Sequence, residues 1–212
     1  MCEVPIFYAT TEGQTQRIAE RIAEQIRKHG LDSRAVAIIS ADASHIDWSK
    51  VRGVALGASL HRGKHQGEAE AFARLHRKEL SSLPSLFVSV SLAAASRNTG
   101  EIEAARAIAA AFASASGWQP TRMATVGGRL AYTQYNWLLR RLMRRIALKE
   151  GASADMTRDH EYTDWHLVEE IAEGLAYEIR RREISPAGAQ SSKPVGDLAG
   201  THDHADARHA VA

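Results

Sequence analysis

Cysteine is almost missing from this chain. With only Cys2 among 212 residues, no internal disulfide can form, which is consistent with a reducing compartment. No apolar run approaches the roughly 20 residues of a membrane-spanning helix. No basic stretch followed by an apolar one opens the chain, so no secretory leader is expected. These absences predict a protein in the cytoplasm or peripheral to a membrane. Internal repeats are absent, and so is G-x-x-x-x-G-K-[ST], which disfavours a nucleoside triphosphate held with Mg²⁺. Neither sign of charge dominates: 27 Lys and Arg face 25 Asp and Glu, a net +2, so the distribution matters more than the sum.

What is present is an α/β pattern. At 44% hydrophobic and 25% charged, the chain suits one globular domain with a substantial core, with room for an appendage. The non-alternating apolar run 4–9 reads as a central parallel strand buried on both faces. Residues 14–29 place Ile18, Ala19, Ile22, Ala23 and Ile26 at helical spacing, with Gly30 at the C-cap position. Further strands are predicted at 33–39, 51–59, 83–91 and 121–128, and helices at 66–80 and 100–116. Strands and helices alternate at about 30-residue spacing, as in a doubly wound parallel sheet. Five strands with an anion-binding loop after the first predict the order 2-1-3-4-5, with ligands bound beyond the carboxyl ends of the strands.

The first of these ends carries Thr10, Thr11, Glu12, Gly13, Gln14 and Thr15. A strand running through such a loop into a helix offers backbone N–H groups and the positive end of a helix dipole. The three threonines and Gln14 add neutral donors, which suit a phosphate monoester; the alternative for Thr10 is a simple helix cap. The third strand leads into Ala58, Ser59, Leu60, His61, Arg62, Gly63, Lys64 and His65, and the fourth into Ser91, Leu92, Ala93 and Ala94. Small residues there leave room for a flat ring, and a flat, phosphate-bearing ligand held by three loops suggests flavin mononucleotide. The alternative for His61, Arg62, Lys64 and His65 is a solvated basic loop.

These loop residues, with Gly57 and the run Ser89, Val90, Ser91, Leu92, resemble the flavodoxin-like family. The later segment Tyr162, Thr163, Asp164, Trp165, after an extra basic stretch, is similar to the menaquinone-dependent protoporphyrinogen IX dehydrogenases of bacterial haem synthesis. The resemblance covers about residues 3–180. It implies FMN, a porphyrinogen substrate and electron transfer to a respiratory quinone, menaquinone or ubiquinone. The sequence departs from the family where many relatives carry aromatics to sandwich the isoalloxazine: Arg62 stands where Tyr is frequent, and the third loop is aliphatic. Ring stacking is then left to His61, His65 or aliphatic contact.

An insertion, 129–161, separates the fifth strand from the last helix. Leu138, Leu139, Leu142, Met143 and Ile146 recur at helical spacing, while Arg140, Arg141, Arg144, Arg145 and Lys149 fall largely on the other face, and no acidic residue interrupts 129–149. A basic amphipathic helix with Trp137 and nearby tyrosines reads as a membrane-surface element or a cradle for tetrapyrrole propionates. The alternative is an ordinary surface helix. No nucleic-acid motif accompanies the arginines, so no nucleic-acid partner is expected.

The expected organisation is a domain over 3–182 and a disordered Pro-, Gly-, Ala- and Ser-rich tail over 185–212. No metal site is expected from the tail histidines. No acid/base pair is evident, since nothing brings Asp159 or His160 to a flavin, and no catalytic residue is assigned. Two other readings stay open: an FMN electron carrier or other quinone reductase, and a flavin-free interaction module. Carriers of this kind are typically acidic, and an Arg-rich helix would repel the basic partners they steer.

Overall fold

The structure, a computed structural model, describes residues 3–40, 43, 45–61, 63–130 and 160–184. Arg62, the insertion residues 131–159 (with Trp137, Arg140, Arg141, Arg144 and Arg145) and the tail 185–212 lie outside the described residues.

Strand β1 (Val4–Ala9) pairs in parallel with β2 (Ser33–Ala37) on one side and β3 (Val54–His61) on the other. Beyond β3 come β5 (Ser85–Ser91) and β6 (Arg122–Gly127), also parallel. The order β2-β1-β3-β5-β6 is the expected 2-1-3-4-5 of a flavodoxin-like sheet, its labels shifted by a short hairpin strand, β4 (Lys64–His65).

Alternate residues of the central strands feed two cores, as the period-2 side-chain pattern of a strand requires. Ile6, Ala55 and Leu86 face α1 (Gln14–Lys28) and α5 (Trp165–Ile184), whose Ile18, Ile22, Val168 and Leu175 close that side. Phe7, Leu56 and Phe87 face α2 (Gly67–Leu75), α3 (Arg77–Ser82) and α4 (Thr99–Ser116), together with the fully buried Trp118. Burial on both faces explains why these strands read as continuous apolar runs.

Four sequence expectations change. The single helix expected over 66–80 is two, broken at His76, where φ is −102° and ψ 20°. The His76 ring packs 5.1 Å from Trp48 and 4.7 Å from Phe72. Leu75, counted among the apolar positions of that helix, is 74% exposed. The second strand stops at Ala37 because Ser40 N–H donates back to the Ala37 carbonyl, at 2.9 Å. The third strand runs past Ser59 to His61 and turns through Gly63 into β4, pairing Leu60 with His65 and His61 with Lys64.

A second, two-stranded sheet follows β6. Arg129 and Leu130 (β7) pair antiparallel with His160 and Glu161 (β8), and this brings 160–164 against the carboxyl end of the main sheet.

Candidate functional site

The register places the ends of the strands side by side. Ala9 pairs with Ala58, Ser59 with Val90, and Ser91 with Gly127, so the three expected loops and the end of β6 lie in a row.

The first loop is built around Gly13, which takes φ +81° as the N-cap of α1. A side chain is strained in that conformation, and a glycine at the N-cap supplies no side-chain cap. Thr10 is therefore not a conventional cap. Its Oγ1 accepts from Gly13 N–H at 3.0 Å and so shapes the loop. Thr11 is exposed, and its Oγ1 accepts from Gln66 Nε2 at 3.4 Å. Thr15 is fully buried, and its Oγ1 has no hydrogen-bond partner among the described residues. Buried hydroxyls are nearly always satisfied, so an orphan beside a capless helix N-terminus fits an anionic group bound there. Glu12 contributes its carbonyl to Arg129, whose guanidinium donates at 3.2 Å.

Gln14 has a different task from the one its side chain suggested. It is 5% exposed, and its Nε2 donates to Thr163 Oγ1 at 2.7 Å and to Glu161 Oε1 at 3.3 Å. The amide side chain faces 160–164, which leaves only its backbone N–H for the helix N-terminus.

In the second loop Ala58 is buried, Ser59 and Leu60 are half-buried, and His61 and Gly63 are exposed. Gln66 ties this loop to the first: its Nε2 donates to Ser59 Oγ as well as to Thr11. Nothing in the local sequence pattern signals that role. His65, considered for ring stacking, is half-buried and packs against the core. Its ring meets Phe87 and Phe112 edge-on at 5.4 and 5.0 Å, and Nε2 lies 2.9 Å from Ser89 Oγ.

Burial pushes the His65 imidazole down to about 4 from its ordinary 6.5. The neutral form is favoured in the folded state, so the unfolded chain takes up the proton first as pH falls. Stability is complete above about pH 6.5 and drains away as pH falls toward about 4. The gap corresponds to roughly 3 kcal/mol at ~1.4 kcal/mol per pH unit; the ring's partial exposure reduces this to about 1–2 kcal/mol. Urea unfolding at pH 7 and pH 4.5 should show His65→Gln losing about 1 kcal/mol less than the parent chain over that interval. Equal losses would contradict a desolvated His65.

In the third loop Ser91 is buried; its Oγ accepts from Ala94 N–H at 3.2 Å and its carbonyl from Gly128 N–H at 3.1 Å. Leu92, Ala93 and Ala94 are half-buried, with Ala93–Ala95 forming one 3-10 turn.

Two charged residues at the loop cluster escaped the sequence reading. Arg17 NH1 donates to Glu161 Oε2 at 2.7 Å and to Gln14 Oε1 at 3.1 Å. Burial alone would raise the Glu161 carboxyl, but the hydrogen bond and charge of Arg17, with the Gln14 amide, hold it below the ordinary carboxylate range. Among the described residues, no helix is long and apolar enough to cross a membrane.

Residues 5–157 match the flavodoxin domain family. The protoporphyrinogen IX dehydrogenase [quinone] of Escherichia coli strain K12 is 28% identical over 172 residues, which cover 81% of this chain and 93% of that protein. Its namesake from Leishmania major is 31% identical over 175 residues, covering 81% of this chain and 73% of that protein. Among solved structures, oxidised flavodoxin 1 from Bacillus cereus is 14% identical with a TM-score of 0.48, over 82% of this chain and 97% of that one. The chain belongs to the flavodoxin domain family and, within it, to the quinone-type protoporphyrinogen IX dehydrogenases, which are oxidoreductases.

Proposed function

We propose that the chain binds FMN and oxidises protoporphyrinogen IX to protoporphyrin IX, passing the electrons to a respiratory quinone, menaquinone or ubiquinone, in haem biosynthesis. The observation that carries this reading is the entry to α1. Gly13 leaves the helix uncapped, and Thr15 Oγ1 is buried without a partner. The names of the relatives supply the substrate and the acceptor.

Thr10, Thr11, Gly13 and Thr15, with the backbone N–H groups of Glu12 and Gln14, would hold the phosphate by hydrogen bonds and the helix dipole. Ala58, Ser59, Leu60, His61, Arg62 and Gly63 on one side, and Ser91, Leu92, Ala93 and Ala94 on the other, would receive the ring. When bound, the flavin supplies the two-electron redox chemistry. The chain supplies binding, orientation and exclusion of water. No side chain is assigned an acid or base role.

The test is anaerobic. Purified protein, added FMN, protoporphyrinogen IX and a quinone analogue are combined, and porphyrin fluorescence is followed above the spontaneous rate. Formation that needs both FMN and quinone supports the dehydrogenase. FMN uptake without porphyrin formation points to an electron carrier or a different quinone reductase.

The membrane part of the reading rests on sequence alone: Trp137, Arg140, Arg141, Arg144 and Arg145 as the contact with an anionic membrane surface or with substrate propionates, the protein lying in the cytoplasm on the inner membrane. A basic side chain near an anionic surface contributes up to about 1 kcal/mol, and salt screens it. Replacing the four arginines with Gln should weaken sedimentation with anionic vesicles by about tenfold or more at low salt, with the difference shrinking as salt rises. Equal sedimentation of the two proteins would remove these residues from any anchor.

A further inference from the structure

Residues Tyr162, Thr163, Asp164 and Trp165 were singled out in the sequence, and the proposed reaction gives them no task. In the structure each has a defined contact at the site. Tyr162 N–H donates to the Gly128 carbonyl at 3.0 Å. Thr163 Oγ1 donates to the Gly127 carbonyl at 2.7 Å while accepting from Gln14 Nε2 at 2.7 Å. Asp164 Oδ1 accepts from Leu167 N–H at 3.1 Å and caps α5. The Trp165 ring lies 5.4 Å from the Arg17 guanidinium and 5.7 Å from that of Arg21.

These contacts join the first loop to the third. From the first loop the path runs through Gln14 to Thr163, and from Thr163 to Gly127. From Gly128 it continues to Ser91, and from Ser91 Oγ to Ala94 in the third loop. Glu161 adds a parallel route, accepting from both Gln14 and Arg17. Gln14 and Thr163 are separated by 149 positions in sequence, so no local propensity sets their distance; only the docking of 160–164 does.

We propose that Thr163, with Gln14 and Glu161, is a positioning brace that sets the first and third loops at the spacing the cofactor requires. The proposal rests on the cofactor site proposed above. These residues are positioning residues: they act on the ligand through the backbone of α1 and of the β5 end. Because the brace and the ligand order the same loops, each favours the other.

Thr163→Val keeps the shape of the side chain and removes both of its hydrogen bonds; Thr163→Ser restores them. The full chain is titrated with FMN by flavin fluorescence quenching, and amide hydrogen exchange is followed without FMN in peptides covering 10–17 and 91–95. Thr163→Val should bind FMN about tenfold more weakly, a loss of ~1.4 kcal/mol, and should exchange faster in both loops. Thr163→Ser should stay within about twofold of the parent, as expected if the hydroxyl rather than general packing is responsible. A folded Thr163→Val with parental FMN affinity, or with unchanged exchange in either loop, overturns the brace. If the parent chain takes up no FMN, the flavin reading fails, and the exchange measurement alone decides whether Thr163 couples the loops.

Discussion

Replacing Gly127 with Val should destabilise the protein by about 3 kcal/mol or more, whereas Gly128→Ala next to it should cost less than about 1 kcal/mol. A Cβ at Gly127 would lie 2.2 Å from the Tyr162 carbonyl oxygen and 2.9 Å from Ala95 Cβ. Backbone cannot yield that distance cheaply, so 160–164 must lift away from β6. Lifting it breaks the Thr163 bond to the Gly127 carbonyl and the Tyr162 bond to the Gly128 carbonyl. Two such bonds at about 1 kcal/mol each, added to an overpacking cost of about 1–3 kcal/mol, give the expected size. A Cβ at Gly128, by contrast, meets nothing nearer than Val90 Cγ1 at 3.6 Å, an ordinary contact. In thermal unfolding the Val variant should fall by roughly 6–12 °C, at ~2–4 °C per kcal/mol for a chain of this size. If the two variants melt together, 160–164 does not pack against β6 as described.

That contrast also marks where the sequence stops being readable. β1, β5 and β6 end within a residue or two of their expected positions, because buried parallel strands are apolar throughout and small or polar residues close them. The start of α1 was legible from its helical spacing: Ile18, Ala19, Ile22, Ala23 and Ile26 recur at that period behind the loop that ends in Gly13. The strand order followed from chain connectivity and from a loop that can bind an anion. By contrast, the break at His76 depends on Trp48 and Phe72 receiving an imidazole, which is a tertiary contact. The hairpin to β4 was hidden because Lys64 and His65 read as a basic loop, and only the packing of His65 on Phe87 and Phe112 shows that one of the two turns toward the core. Gln14 is the sharpest case. Its position beside the loop made a phosphate donor the natural reading, yet its amide bonds residues that lie 147 and 149 positions further along the chain. Side chains that join distant segments leave no periodic trace, so the loops of the candidate site were visible and the parts that hold them together were not.

Replacing Thr10, Thr11 and Thr15 together with Val should weaken FMN binding about a thousandfold while leaving the unliganded fold nearly as stable as before. Among the described residues, none of the three hydroxyls donates a hydrogen bond to protein. Thr10 and Thr11 accept, from Gly13 N–H and from Gln66, and Thr15 has no partner. Three unspent protons at an uncapped helix start match the acceptor oxygens of a phosphate. A hydrogen bond to a charged group contributes about 1.5–3 kcal/mol, and losses within one cluster are not additive, so about 4 kcal/mol in all is expected, equivalent to ~10³ in affinity. The two signs of the stability effect separate this from simple damage. Thr15→Val removes a buried, unsatisfied hydroxyl, which by itself favours the folded state. Thr10→Val gives up the contact to Gly13, worth about 1 kcal/mol. The urea midpoint without FMN should therefore move little, and the stabilisation that saturating FMN confers on the parent chain should vanish. A triple variant that binds FMN as the parent does would mean that the phosphate, if bound at all, is not held by these threonines. One that unfolds without FMN would mean that the loop is held together by the hydroxyls themselves and that their free protons carry no message about a ligand.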